Sequence, residues 1–132
     1  MSKFAEPPSL ADLEAMALEA RDHLPEPFLT MVAHVPILIE DFCADEEVLA
    51  ELGIESPWDL SGLYSGTAEP DKTTGHVAQD TDRIFLFRRP LLDEWCETGV
   101  DLRELVRHVL IHEIGHHFGF SDDDMDAIEQ AG

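Results

Sequence analysis

The chain is short and strongly acidic. With 132 residues, of which 44% are hydrophobic, it can bury a modest core, and we predict a single domain over residues 1–132. A formal net charge of -21 excludes nucleic acid and anionic membranes as partners, because both would repel it; a cationic substrate is permitted, although solubility alone explains such a charge.

The beginning of the chain shows no targeting signal. Residues 1–8 lack the apolar segment of a secretory leader, and no apolar run approaches the length needed to cross a membrane. Cys43 and Cys96 are far apart and lack CxxC spacing, which indicates reduced thiols instead of a disulfide scaffold or a redox motif. These features predict a cytoplasmic protein.

The first half of the chain predicts helices and a strand. Apolar residues recur at helical spacing between Ser9 and Pro25, which indicates an amphipathic first helix. The apolar run Val35–Ile39 contains Pro36 and therefore suits an edge strand or the start of a strand better than a central strand, since proline cannot donate to a neighbouring strand. Asp45–Leu52 predicts a short helix.

The middle of the chain predicts a second strand region. Leu60–Tyr64 has glycines in and beside it and favours a weak strand or a turn. Glu69–Asp82 has the polar composition of an exposed loop. Arg83–Phe87 is short, apolar and rich in residues that favour strands, so it is the clearest strand.

The last third of the chain predicts helices. Pro90 suits the start of a short helix through Trp95. A pattern typical of helix capping at Asp101 begins a longer helix that runs to about Phe118, and Ser121 begins a last one toward Gln130. This order of elements predicts an α+β fold, with a small sheet packed against the long helix and helices at both ends.

The long helix carries the most informative motif. His112 and His116 are four residues apart, so both can present a nitrogen to one metal, and Glu113 beside them can accept a proton from metal-bound water. The three residues continue an apolar arc of the helix and are predicted to face inward, where a metal would satisfy them. Chance would give a bare HExxH in a chain of this composition with a probability of roughly 4%.

Two later residues extend this motif. Gly119 suits the left-handed conformation that ends a helix, which would let the chain turn back and bring Asp122 toward the same ion. Requiring both lowers the chance expectation to roughly 0.03%. Asp122 also starts a run of acids, and acids are favoured at a helix N-terminus without any metal.

With HExxHxxGxxD in place over residues 112–122, the chain resembles the zincin metallopeptidases, in particular the small single-domain Asp-zincins or mini-zincins. The Gly-Leu-Tyr and Arg-Ile-Phe-Leu-Phe segments extend the resemblance. It implies an α+β fold with a small mixed sheet packed against the active-site helix. It also implies that a sheet edge, in Leu60–Tyr64 or Arg83–Phe87, holds the extended substrate.

The resemblance also implies roles for the motif residues. Zinc would be bound by His112, His116 and Asp122, with Glu129 as the competing third ligand because another zincin branch takes a glutamate from a following helix. Glu113 would act as general base and then as proton donor to the leaving amine.

Four neighbouring residues have less certain roles. His117 is expected to support the ligands or to pack, and His108 to lie off the metal face. Gly115 in mid-helix indicates either close approach of another backbone or simple tolerance. Tyr64 could stabilise an oxyanion, as a tyrosine does in some zincins, or pack on the sheet.

These residues predict a zinc-dependent metallopeptidase that acts on peptides or proteins. Two alternatives stay open. A non-catalytic module that binds zinc or a partner would suit a chain too short to build a deep cleft. A metal-dependent hydrolase of another substrate is the third hypothesis, since the motif does not identify the bond that is cleaved.

Overall fold

The computed structural model describes residues 7–66 and 82–131. The prediction of an α+β fold with helices at both ends is confirmed. In chain order the elements are α1 (Leu10–Asp22), α2 (Phe28–Val32), β1 (Ile37–Glu40), α3 (Glu46–Glu51), a 3-10 turn (Pro57–Asp59), β2 (Gly62–Ser65), β3 (Arg83–Phe87), α4 (Arg88–Thr98), α5 (Leu102–His117) and α6 (Asp122–Ala131).

The strands form a three-stranded mixed sheet in the order β1-β3-β2. β1 runs parallel to β3 with Ile37 opposite Ile84, and β2 runs antiparallel to β3 with Gly62 opposite Leu86. The prediction of an edge strand at Pro36 is confirmed, and the weak segment Leu60–Tyr64 does contain a strand. β3 lies in the centre, so β1 and β2 form the two edges of the described sheet.

The helix starts follow the predicted capping residues. The Ser9 hydroxyl accepts from the backbone N–H of Asp12, and the Asp12 carboxylate accepts from the backbone N–H of Ser9. This reciprocal pair is a capping box at the start of α1. Asp101 accepts from the backbone N–H groups of the residues two and three further on at the start of α5. α5 thus begins where the sequence predicts, one residue after Asp101.

Two helices depart from the predictions. α4 begins at Arg88, directly after β3, and not at Pro90. Pro90 then occupies the first turn, where the backbone N–H it lacks would have no partner in the helix. α2 was not predicted, because Phe28 and Val32 are the only buried positions of a five-residue helix and give too short a periodic pattern.

The core lies between the sheet and α5, with α1 packed against both. Half of the residues of α5 are buried, and they cover most of the circumference of the helix: Leu102, Leu105, Val106, Val109, Leu110, Ile111, Ile114 and Gly115. This extensive burial holds the motif helix firmly, so its polar residues have defined positions.

α6 packs against α5 at Gly115. A Cβ at this glycine would collide with the Sδ of Met125, and Met125 is fully buried. The close approach predicted from Gly115 is therefore real, but it is made by a side chain and not by a second backbone. Gly119, with a φ of 84°, makes the left-handed turn between the two helices.

The predicted loop Glu69–Asp82 lies outside the described residues except for Asp82. Residues 1–6, most of the segment 1–8 in which a secretory signal was sought, also lie outside them. In the described part of the chain, no helix is both long and apolar enough to cross a membrane.

Candidate metal centre

Histidines occupy one face of α5 over consecutive turns. The ring centroids of His108 and His112 are 4.1 Å apart, and those of His112 and His116 are 5.9 Å apart. The prediction that His108 lies off the metal face is therefore wrong. Residues four apart stay within about 40° of each other on a helix, and this holds for the turn before the motif as well as within it.

α6 places a carboxylate opposite each end of this histidine row. Near its start, Asp122 Oδ1 lies 3.3 Å from His116 Nε2. Two turns later, Glu129 lies 3.0 Å from His108 Nδ1 and 3.6 Å from His112 Nε2. The turn at Gly119 reverses the chain, so both ends of α6 reach the face that carries the histidines.

These side chains form two overlapping groups that could hold a metal. One is His112, His116 and Asp122; the other is His108, His112 and Glu129. In each group the ligand atoms lie within 4.8 Å of one another. His112 belongs to both, so one ion bound through this histidine selects either Asp122 or Glu129 as its carboxylate.

The state of His112 fits a metal ligand. Its Nε2 is buried and has no hydrogen-bond partner among the described residues, although 20% of the side chain is exposed. A buried imidazole nitrogen without a partner costs free energy that a bound metal would recover. Imidazole nitrogens with one carboxylate are also the ligands that zinc takes in catalytic sites.

The predicted inward orientation holds for only part of the motif. His112 and Glu113 are partly buried, whereas the side chain of His116 is 55% exposed and that of Asp122 is 80% exposed. The end of α5 and the start of α6 lie at the protein surface. A metal between these residues would therefore face solvent on one side.

Glu113 is enclosed by strand β2. A Cβ at Gly62 would come within 2.7 Å of Val109 Cγ1 and 3.1 Å of Glu113 Cγ, so only glycine lets the strand lie this close to α5. Burial raises the pKa of Glu113 to about 7, and the charge of His116 opposes this only in part. In the sequence Gly62 belonged to a predicted weak strand or turn, and its contact with Glu113 was not predicted.

The structure also shows which strand lies beside the HExxH residues of α5. β3 is paired on both sides, whereas β2 lies at an edge of the described sheet and packs against α5. Two segments were predicted as the edge that holds the substrate, Leu60–Tyr64 and Arg83–Phe87. Only the first, which contains β2, both lies at an edge and packs against the motif helix. Its backbone is therefore the candidate for pairing with an extended peptide.

Tyr64 and His117 pack against each other beside the motif. Their rings are stacked with centroids 4.0 Å apart, and the Tyr64 hydroxyl donates to Asp82 Oδ2 at 2.6 Å. Burial, with the hydrogen bond and charge of Asp82, raises the pKa of Tyr64 above its usual range. The hydroxyl is held on Asp82, which favours the predicted packing role over oxyanion binding.

Comparison with known proteins adds a finding from outside the structure. A family model described as zincin-like metallopeptidase matches residues 32–131. The match begins at the end of α2 and includes every strand, the histidine row and both candidate carboxylates on α6. No curated protein was found to match the chain.

Proposed function

Because the chain belongs to the zincin-like metallopeptidase family, whose members hold a metal that is typically zinc, we propose that it is a zinc-dependent peptidase of the HExxHxxGxxD type. One observation carries the proposal. His112, His116 and Asp122 each bring a ligand atom to within 4.8 Å of the others, next to the partly buried Glu113. We take these three residues as the metal site and the neighbouring Glu113 as the general base.

The position of Glu113 favours Asp122 over Glu129 as the third ligand. Glu113 lies about 1.5 Å further along the axis of α5 than His112, on the side toward His116. The group with Glu129 would place the ion toward His108, one turn in the opposite direction. Glu113 is thus placed to act as general base for an ion bound with Asp122, and not for one bound with Glu129.

Glu129 also has other partners. Its carboxylate bonds to His108, and Arg107 lies 4.0 Å away. A carboxylate that already interacts with a cationic group is a weaker competitor for a metal. We infer that Asp122 binds the ion, while Glu129 contacts His108 and lies 3.6 Å from His112 Nε2 without binding the ion.

In the proposed reaction, zinc supplies Lewis-acid activation of water and of the substrate carbonyl. Glu113 accepts a proton from the attacking water on a carboxylate oxygen and later delivers it to the nitrogen of the leaving amine. A pKa of about 7 suits both steps near neutral pH. The β2 edge aligns the peptide backbone, and the close approach at Gly62 limits access of bulk water to Glu113.

The test is zinc-dependent cleavage of a broad peptide library, analysed by mass spectrometry. Glu113→Gln should keep zinc and lose at least about 100-fold in turnover, since general acid–base catalysis contributes about that much or more. Glu51→Gln, an exposed glutamate on α3, is the matched control and should cleave like the wild type. Undiminished cleavage by Glu113→Gln would refute the proposed base.

The exposure of the ligands supports a second candidate function. With His116 55% exposed and Asp122 80% exposed, the site is shallow and would suit a module that binds zinc or a partner without catalysis. One zinc per chain with no cleavage anywhere in the library would favour this alternative over the peptidase.

A further inference from the structure

A cavity of about 340 Å³ opens beside the histidine row. This is near the lower end of the range for pockets that bind small ligands, about 300–1,000 Å³. The cavity lies between the end of α4, the first half of α5 and the end of α6. Its lining residues are Glu94, Thr98, Val100, Glu104, Leu105, His108 and Glu129.

The cavity adjoins the candidate metal centre through shared residues. His108 and Glu129 line the cavity and also form one of the metal-binding groups with His112. Glu129 stands between the two, with one oxygen 3.6 Å from His112 Nε2. Along α5, His108 lies four residues, or about 6 Å, before His112. An extended peptide bound at the centre would need at least about two further residues, at roughly 3.3 Å each, to reach the cavity.

The lining combines negative charge with an apolar floor. Among the described residues, it contains Glu94, Glu104 and Glu129 and no lysine or arginine. The charge of Glu129 is partly offset by Arg107, but in the described part of the chain neither Glu94 nor Glu104 forms a salt bridge. Such a lining matches a side chain with an alkyl stem and a cationic end.

We propose that this cavity binds a lysine or arginine side chain of the peptide substrate. The stem packs on Val100 and Leu105, and the cationic end pairs with Glu94 and Glu104. The proposal rests on the proposed peptidase function and adds its substrate class.

The cleavage test compares matched peptides. A library first identifies the position, relative to the cleaved bond, at which basic residues are enriched; peptides with lysine or the neutral norleucine at that position are then assayed. Two exposed ion pairs correspond to a preference in kcat/KM of about 2- to 30-fold for lysine. The double variant Glu94→Gln/Glu104→Gln should bring the ratio close to one.

The control for this variant removes the same charge elsewhere. Glu51→Gln/Glu55→Gln lies outside the cavity at exposed positions and should keep the wild-type preference. Equal loss in both double variants would assign the preference to overall charge and overturn the proposal. Cleavage by the wild type with no basic preference would overturn it as well, while leaving the peptidase function intact.

A binding test separates failure of the cavity from failure of catalysis. N-acetyl-argininamide and its uncharged analogue N-acetyl-citrullinamide are titrated into zinc-loaded protein and followed by NMR. The charged probe should shift the signals of Val100 and Leu105 more strongly, and Glu94→Gln/Glu104→Gln should remove the difference. Equal binding of the two probes would overturn the proposal even if peptides are cleaved; selective binding without any cleavage would refute the peptidase function and, with it, the assignment to a substrate.

Discussion

The choice between Asp122 and Glu129 as zinc ligand can be decided by paired substitutions. Asp122→Asn removes a carboxylate that is 80% exposed and whose described contact is with His116 at 3.3 Å. Its loss should therefore change the free energy of unfolding of the metal-free protein by less than about 1 kcal/mol. If Asp122 binds zinc directly, the affinity for zinc should fall by well over about 100-fold, since loss of a merely supporting partner already costs about 10- to 100-fold.

Glu129→Gln should give the opposite pattern. The Glu129 carboxylate is only 20% exposed, bonds to His108 at 3.0 Å and lies 3.6 Å from His112. The metal-free variant should lose about 0.5–1.5 kcal/mol of stability, the usual net worth of such a hydrogen bond. Its zinc affinity should fall by no more than about 100-fold, because Glu129 would lie outside the set of ligands.

The assay is zinc affinity by competition with a fluorescent chelator, together with urea unfolding of the metal-free proteins. Asp123→Asn is the matched control, since Asp123 is exposed in the same first turn of α6 and its replacement removes the same charge from the helix N-terminus. Near wild-type affinity in Asp122→Asn with loss in Glu129→Gln would refute the argument and move the ion toward His108.

Three further predictions concern the surroundings of the base. Because burial raises the pKa of Glu113 from 4.5 to about 7, the metal-free wild type should lose about 1–3 kcal/mol of stability relative to Glu113→Gln as the pH rises from about 4.5 to 7, measured by urea unfolding; a constant difference would contradict the burial of this group. Gly62→Ala should destabilise by about 1–3 kcal/mol, because the new methyl would lie 2.7 Å from Val109, and it should also lower kcat; an unchanged melting temperature would contradict the close approach. Gly115→Ala should push Met125 from its buried place and loosen α6, so amide hydrogen exchange should rise along α6 more than along α1.

Much of the fold could be predicted because its signals are local. The capping residues Ser9 and Asp101 place the starts of α1 and α5, and Pro36 marks an edge strand through the donor it lacks. The spacing of His112 and His116 likewise depends only on the geometry of one helix. These features need no knowledge of how separate elements pack.

The parts that could not be predicted depend on packing between elements. The sequence names Asp122 and Glu129 as candidate ligands, but which histidine each one meets follows from the direction of α6 after Gly119 and from Met125 resting on Gly115. The pairing of Glu129 with His108 joins residues 21 positions apart on two helices. The periodicity of a single helix does not predict such a contact.

The same limit explains why the contact at Gly62 matters beyond its strand. β2 is the edge on which an extended peptide would pair, and at Gly62 it also covers the carboxylate that would take the proton. A side chain at this position would move the peptide-binding edge and the base apart together. The pKa of Glu113 and the position of the substrate backbone therefore depend on one close approach, so variants at Gly62 should change substrate binding and the pH dependence of turnover in parallel.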